Sequence, residues 1–204
     1  MSKATLQRRP LVRKILEGAD DNLLVIAGLG SSNWDYTEAG DRPLNMPLWG
    51  AMGAPVGMGL GLALAQPRKR VLVITGDADL LMSLGSLATV ATQQPDNLAI
   101  VVLDNEKFGE TGNQASHTSP RNNGPTESGA GTDLAMIARG CGIADSGTVR
   151  EAGEVAQLVK DARARKGPVF RLVKVMVEKL EFVMPPQDGA HLKDRFRQAL
   201  LGHP

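Results

Sequence analysis

Residues 71–105 read VLVITGDADLLMSLGSLATVATQQPDNLAIVVLDN, and this stretch decides the fold. An apolar run over 71–75 ends in Gly76-Asp77-Ala78-Asp79. A helix-spaced series over 80–93 follows, with Leu80, Leu84, Leu87, Ala88 and Ala91 on one face. A turn at Pro95-Asp96-Asn97 then leads to a second apolar run, 98–103, which ends in Asp104-Asn105. Asp77 and Asn105 stand 28 positions apart, the length of one helical crossover between neighbouring parallel strands. The spacing sets a carboxylate beside a carboxamide at the carboxyl edge of a sheet, with a helix N-terminus between them. Oxygen donors suit magnesium, and the free N–H groups of a helix start suit a phosphate. The stretch therefore predicts a site for a magnesium-bound diphosphate. The bland alternative is that Asp77 and Asp79 only cap the helix. The matched element at Asn105 argues against it.

The rest of the chain supports an α/β reading. Helices are expected over 4–17, 53–65, 133–139 (with Thr132 as its cap), 151–165 and 191–201; strands are expected over 23–27 and 169–177. Residues 33–50, polar and carrying Pro43 and Pro47, read as an ordered loop. Residues 106–132, rich in Gly, Asn, Ser, Thr and Pro, are too long for a plain connector and read as functional or mobile. Strands that are nearly all apolar and alternate with helices imply a doubly wound, mostly parallel sheet with helices on both faces. In such sheets ligands sit beyond the carboxyl ends of the strands. The Gly28, Gly76 and Asn105 turns all fall at that edge. One domain over 1–184 is expected, with 185–204 as a tail bearing a short helix.

Composition narrows the function. With 204 residues and a formal net charge of +1, nothing points to nucleic acid or to a membrane surface. The single cysteine, Cys141, excludes a disulfide framework within the chain and fits a reducing, cytoplasmic setting. The first residues lack the apolar core of a signal peptide. Gly28-Leu29-Gly30-Ser31-Ser32-Asn33 fails the dinucleotide fingerprint at its sixth position, Gly57-Met58-Gly59-Leu60-Gly61 lies inside a helix, and no Gly-Lys-Ser/Thr run exists. Nicotinamide and nucleoside triphosphate sites are thereby disfavoured.

Gly76-Asp77-Ala78 through Asp104-Asn105 resembles the signature of thiamine-diphosphate enzymes, usually Gly-Asp-Gly and then Asn-Asn. Gly50-Ala51-Met52-Gly53 resembles the family turn that carries a bulky apolar residue 25 positions before the aspartate. Gly85-Ser86-Leu87-Ala88-Thr89 and Gly112-Asn113-Gln114 resemble the small-subunit branch that includes sulfopyruvate and phosphonopyruvate decarboxylases. The likeness covers roughly residues 20–180.

The resemblance implies thiamine diphosphate and Mg2+ as cofactors. Asp77, the Asn105 side-chain oxygen and the Lys107 carbonyl would hold the metal. Gly30, Ser31, Gly76, Ala78 and Asp79 would line the diphosphate, with Gly109, Glu110 and Thr111. Met52 would be the wedge that bends the cofactor, and the Gly50 carbonyl would accept from its aminopyrimidine. Asp79 stands where Ser or Thr is common; it either caps its helix or reaches the metal through water. His117, Glu110 and Arg121 are candidates to act on substrate, His117 and Glu110 as proton carriers. The family's activating glutamate lies on a separate domain, which this chain has no room for. Glu17 and Glu38, alone ahead of the Gly50 turn, sit in unsuitable settings. A separate pyrimidine-binding subunit in a hetero-oligomer is therefore expected, acting on a small, anionic 2-oxo acid. An acetolactate-synthase-like carboligase subunit and a non-catalytic cofactor-binding module are the alternatives.

Overall fold

The computed structural model describes residues 4–120, 131–164 and 166–203. Its centre is a six-stranded sheet in which every pairing is parallel. In chain order the elements are α1 (Arg8–Leu16), β1 (Leu23–Ala27), α2 (Ser31–Gly40), β2 (Asn45–Pro47), α3 (Ala54–Ala65), β3 (Arg70–Gly76), α4 (Asp77–Leu81), α5 (Gly85–Gln93) and β4 (Leu98–Asp104). A small antiparallel hairpin, β5 (Lys107–Phe108) and β6 (Gln114–Ala115), comes next. The chain continues through α6 (Leu134–Gly140), β7 (Asp145–Val149), α7 (Val155–Arg163), β8 (Val169–Lys174) and α8 (Gly189–Leu201). The strand order is β2-β1-β3-β4-β8-β7, so the order reverses at β1/β3. That is where doubly wound sheets open a ligand crevice.

Period-two alternation divides the core between the two sheet faces. Leu24, Ile26, Val71, Val73, Leu98, Ile100 and Val102 pack with α3, α5, α6 and α8. Leu23, Val25, Leu72, Ile74, Ala99, Val101 and Leu103 pack with α1 and α7 and with Tyr36 of α2. No described helix is long and apolar enough to cross a membrane.

Several local expectations need correction. Residues 31–40, read mostly as loop, form α2. Its buried positions are Ser32, Asn33, Asp35 and Tyr36, so the helix has no apolar stripe to betray it. Asp35 is tolerated there because Arg8 and Arg9 both pair with it. Helix α1 starts at Arg8 rather than residue 4, because Leu6 is drawn into a parallel bridge with Val175. The helix expected over 80–93 is two helices that begin at Asp77 and are separated at residues 82–84. Asp133, not Thr132, caps α6, its carboxylate accepting from the Met136 N–H at 2.9 Å. The strand β7 has no apolar run and was not anticipated. The last helix packs Leu192 and Phe196 into the core and ties Arg195 to Asp41, so it is integral to the β2 edge rather than peripheral.

Glycines along α3 serve different ends. A Cβ at Gly59 would lie 2.3 Å from Cγ2 of Val73, whereas one at Gly61 would meet nothing within 4 Å. Gly59→Ala is expected to destabilise the chain by about 1–3 kcal/mol through overpacking against the stiff valine. Gly61→Ala is expected to stabilise by up to about 1 kcal/mol through helix propensity. Urea denaturation of the two variants checks the contrast; equal effects would contradict the α3–β3 packing.

Candidate cofactor site

Beyond the carboxyl ends of β1, β3, β4 and β8 lies a cavity of about 1070 Å³. Leu29, Gly30 and Ser31 follow β1 into it, Gly76 to Asp79 follow β3, and Asn105 and Lys107 to Thr111 follow β4. Met52 lines it at one side, and residues 177–182 cross it at another. This strap is held by the Arg8 N–H donating to Glu178 at 2.8 Å, by Arg9 donating to the Glu181 carbonyl at 2.7 Å, and by Phe182 against Trp34 at 4.3 Å between ring centroids.

Asp77 is 2% exposed and opens α4 directly from the end of β3. Its Oδ2 accepts from the Ser116 hydroxyl at 2.5 Å and the Thr118 hydroxyl at 3.0 Å. No other described residue donates to its Oδ1. Asp104, wholly buried at the end of the adjacent strand, accepts from Thr118 at 2.8 Å and from the Lys174 ammonium at 2.6 Å. Lys174 also reaches Glu106 at 2.8 Å. Burial, and then the nearby Asp104 carboxylate, push Asp77 up to about 6, against the pull of the two hydroxyls. Burial acts to lower Lys174, yet Asp104 and Glu106 together hold it above its ordinary value.

These contacts permit a test of whether a divalent ion fits. The hydrogen-bonded cluster holds three carboxylates and one ammonium, a formal deficit of two positive charges when all are ionised. The donors that face the cavity beside it are hard oxygens, which favour Mg2+ over softer ions. Gly30 stands at φ +78°, a conformation that side-chain-bearing residues rarely adopt, so this turn into the cavity favours glycine. The residues fit the group.

Asp79 lines the cavity but does not cap its helix. Its Oδ2 accepts from the Thr75 hydroxyl at 2.5 Å and its Oδ1 from the Gly53 N–H at 2.5 Å, and α4 has no side-chain cap. Burial raises its carboxyl, opposed by Thr75 and by the Gly53 and Leu29 N–H groups. Gly28 makes the arrangement possible: a Cβ there would lie 2.1 Å from Asp79 Oδ2 and 2.6 Å from the Thr75 hydroxyl. Asp79 thus ties the end of β3 to the turn that carries Met52.

The remaining candidates divide. Met52, 40% exposed, lines the cavity. Gly50 stands exposed at φ +65° and outside the lining. Glu110 lines the cavity in a 3-10 turn, Gly109–Thr111. His117 is exposed, does not line the cavity, and meets Phe108 edge-on at 6.0 Å. The chain has left β6 by this point: a turn closed by the Ser119 N–H donating to the Ser116 carbonyl at 3.1 Å buries Ser116 and Thr118 and leaves the residue between them outside. Arg121 lies outside the described residues. Sequence reasoning passed over Ser116, Thr118, Thr75, Arg8 and Trp34; the alternating Ser-His-Thr was the signal available for the first two. The Asn105 side-chain oxygen accepts from the Lys107 N–H at 2.9 Å, which tightens the turn after β4.

Residues 29–173 match the model of the family described as thiamine pyrophosphate enzyme, C-terminal TPP binding domain. The chain is 35% identical over 156 residues to sulfopyruvate decarboxylase subunit beta of Methanocaldococcus jannaschii, covering 76% of this chain and 77% of that one. It is 30% identical to phosphonopyruvate decarboxylase of Streptomyces viridochromogenes, over 96% of this chain but 47% of that longer one. Among solved structures, a 2-oxoglutarate:ferredoxin oxidoreductase chain from Magnetococcus marinus superposes with a TM-score of 0.68 at 17% identity, covering 96% of this chain and 78% of that one. This last likeness bears on the fold alone.

The environment of Asp77 sets a pH dependence. A carboxyl raised from 3.8 to about 6 favours the protonated form in the folded chain. Its contribution to stability is therefore complete at low pH and lost as pH rises from 3.8 through about 6. The loss is on the order of 3 kcal/mol. Asp77→Asn is expected to raise the melting temperature of the metal-free chain at pH 7.5 and to flatten the wild-type decline across that window. Thermal melts in chelator from pH 4 to 8 check this; parallel profiles for the two proteins would contradict it.

Proposed function

The chain belongs to the thiamine pyrophosphate enzymes, matching their C-terminal cofactor-binding domain over most of its length, and from that membership we propose that it is the diphosphate-binding subunit of a Mg2+-dependent decarboxylase, cytoplasmic and acting on a small anionic 2-oxo acid of the sulfopyruvate or phosphonopyruvate kind. The observation that carries the reading is the buried Asp77 carboxylate, left with one oxygen free of other described residues and lining a cavity shared with Asn105 and Lys107.

When bound, thiamine diphosphate supplies the electron sink for loss of carbon dioxide from a 2-oxo acid. The chain's residues hold and shape it. Asp77, the Asn105 amide oxygen and the Lys107 carbonyl bind the metal. Gly30, Ser31, Gly76 and Ala78 line the diphosphate with Gly109, Glu110 and Thr111, and the start of α2 adds free N–H groups. Met52 would wedge the cofactor, and the Gly50 carbonyl, outside the lining of this chain's own cavity, would accept from the aminopyrimidine where the second subunit extends the site. Asp79 holds the Met52 turn in place through Gly53 and is not spent on the diphosphate. Because His117 is outside the cavity, proton transfer to product falls to another group.

A second subunit completes the site. Met52 lies exposed, and the outward face of α3 continues from it through Met58 and Leu64, both also exposed. A helix apolar on all sides is one that expects cover. The phosphonopyruvate decarboxylase relative is about twice as long as this chain, consistent with one chain there doing the work of two here. The subunit named beta in the archaeal relative points the same way.

The isolated chain is expected to show no decarboxylation of 3-sulfo- or 3-phosphono-2-oxopropanoate, and to gain it when a pyrimidine-binding partner is added. In that complex the double variant Asp77→Ala, Asn105→Ala is expected to lose more than about 100-fold in rate, beyond the effect of residues that merely support a metal ligand. Assay of carbon dioxide and aldehyde checks both. Turnover by the single chain, or a double variant at wild-type rate, would defeat the reading.

A further inference from the structure

One end of the loop that follows β4 supplies Asn105 and Lys107; the other end supplies two buried hydroxyls. The β5–β6 hairpin folds the loop back on itself, and the Ser116 N–H donates to the Glu106 carbonyl at 3.0 Å. This register sets Ser116 and Thr118, both buried, against Asp77, some 40 residues earlier in the chain. They reach the same oxygen, Oδ2, and touch each other at 2.8 Å. Thr118 also reaches Asp104, whose other oxygen is held by Lys174.

We propose that Ser116 and Thr118 are positioning residues that dictate which oxygen of Asp77 meets the metal. Each hydroxyl has one proton to give. Ser116 has one carboxylate in reach, Asp77, and donates to it. Thr118 divides its single proton between Asp77 and Asp104, and so links the orientation of one carboxylate to the other. With Oδ2 occupied, the carboxylate cannot spin about its Cβ–Cγ bond or offer both oxygens to a cation. It is presented as a one-oxygen ligand through Oδ1. Mg2+ accepts only near-ideal octahedral geometry and is sensitive to that constraint. Ca2+, larger and tolerant of two-oxygen coordination, is much less so. The pair therefore governs both the strength of metal binding and the preference for the smaller ion.

The proposal rests on the cofactor reading above, and its test separates the two. Uptake of thiamine diphosphate by the full chain is followed by calorimetry and by the fluorescence of Trp34, which lines the cavity, while Mg2+ or Ca2+ is titrated at fixed cofactor. Thr118→Val keeps the side-chain shape and removes the hydroxyl. Thr118→Ser keeps the hydroxyl and removes the methyl. Ser116→Ala removes the other donor. Thr118→Val and Ser116→Ala are expected to raise the half-saturating Mg2+ concentration about 10–100-fold. Thr118→Ser is expected to stay near wild type, and the deficits are expected to shrink when Ca2+ replaces Mg2+. Wild-type behaviour of both hydroxyl-deleted variants would overturn the assignment, as would an equal loss in Thr118→Ser or equal losses with the two ions, each the mark of a merely structural role. Should Thr118→Val fail to fold, Ser116→Ala set against Thr118→Ser decides. A wild-type chain that takes up no cofactor at any metal concentration, either alone or with the pyrimidine-binding partner, would overturn the cofactor reading and this inference together; normal wild-type uptake with unperturbed variants overturns this inference alone.

Discussion

A carboxylate buried at the end of a parallel strand is the constraint around which this chain is arranged. Moving an ionised carboxylate out of water is expensive unless it is paired or hydrogen-bonded. Asp77 makes it worse by sitting beside Asp104, one strand over. The fold answers in two unequal ways. Asp104 receives an ammonium, Lys174, from the next strand, where parallel register sets the two residues opposite each other. Asp77 receives only hydroxyls. One member of the pair is neutralised by the chain and the other is not. A core of fully buried aliphatic residues on both sheet faces gives the stability against which such a deficit can be carried.

Two aspartates two positions apart in the first turn of α4 meet opposite fates, and the difference lies in their neighbours. Asp79 has both oxygens occupied, by Thr75 of the preceding strand and by the backbone of the Met52 turn. A Ser at that position could donate to a diphosphate, but its single oxygen could not span from Thr75 to Gly53. The carboxylate is awkward only if it faces the ligand. Directed backward, into space that Gly28 leaves open, it acts as a structural strut. The departure from the usual family pattern therefore leaves the cavity intact and stiffens the side where Met52 stands.

The sheet was legible because burial on both faces makes each central strand a continuous apolar run, as 71–75 and 98–103 show. The crossover length between them then fixed Asp77 beside Asn105. What escaped was every element whose pattern is not apolar. Helix α2 buries Ser32, Asn33 and Asp35, so its inward face reads as a loop. Strand β7 lies at the sheet edge and carries Asp145, Ser146, Gly147 and Thr148. Within the site, residues supplied by strand ends were visible from spacing, while those supplied by folding-back were not. Ser116 and Thr118 reach Asp77 only because a hairpin of two-residue strands returns the chain, and so short a hairpin leaves no periodic trace. His117 drew notice for its chemistry, although the turn that follows β6 sends it to solvent.

That return path also bears on why a long polar segment follows β4 in a compact domain. A side chain at the end of a strand can be oriented by rigid packing against its neighbours, but Asp77 opens toward the cavity and needs a further support. The hairpin provides one from the same chain. Glu106 takes a left-handed conformation at φ +62° and sends its side chain to Lys174, its N–H to Asp104 and its carbonyl to Ser116. A residue forced into that region is held there by its surroundings, at a cost of order 1–3 kcal/mol. Here the surroundings are the backbone N–H of Ser116, whose hydroxyl holds Asp77, and the ion pair that holds Asp104. The position of the Lys107 carbonyl is thus coupled to the orientation of the Asp77 carboxylate through one residue. Whatever orders one oxygen orders the other, and a half-built site is disfavoured relative to a complete one.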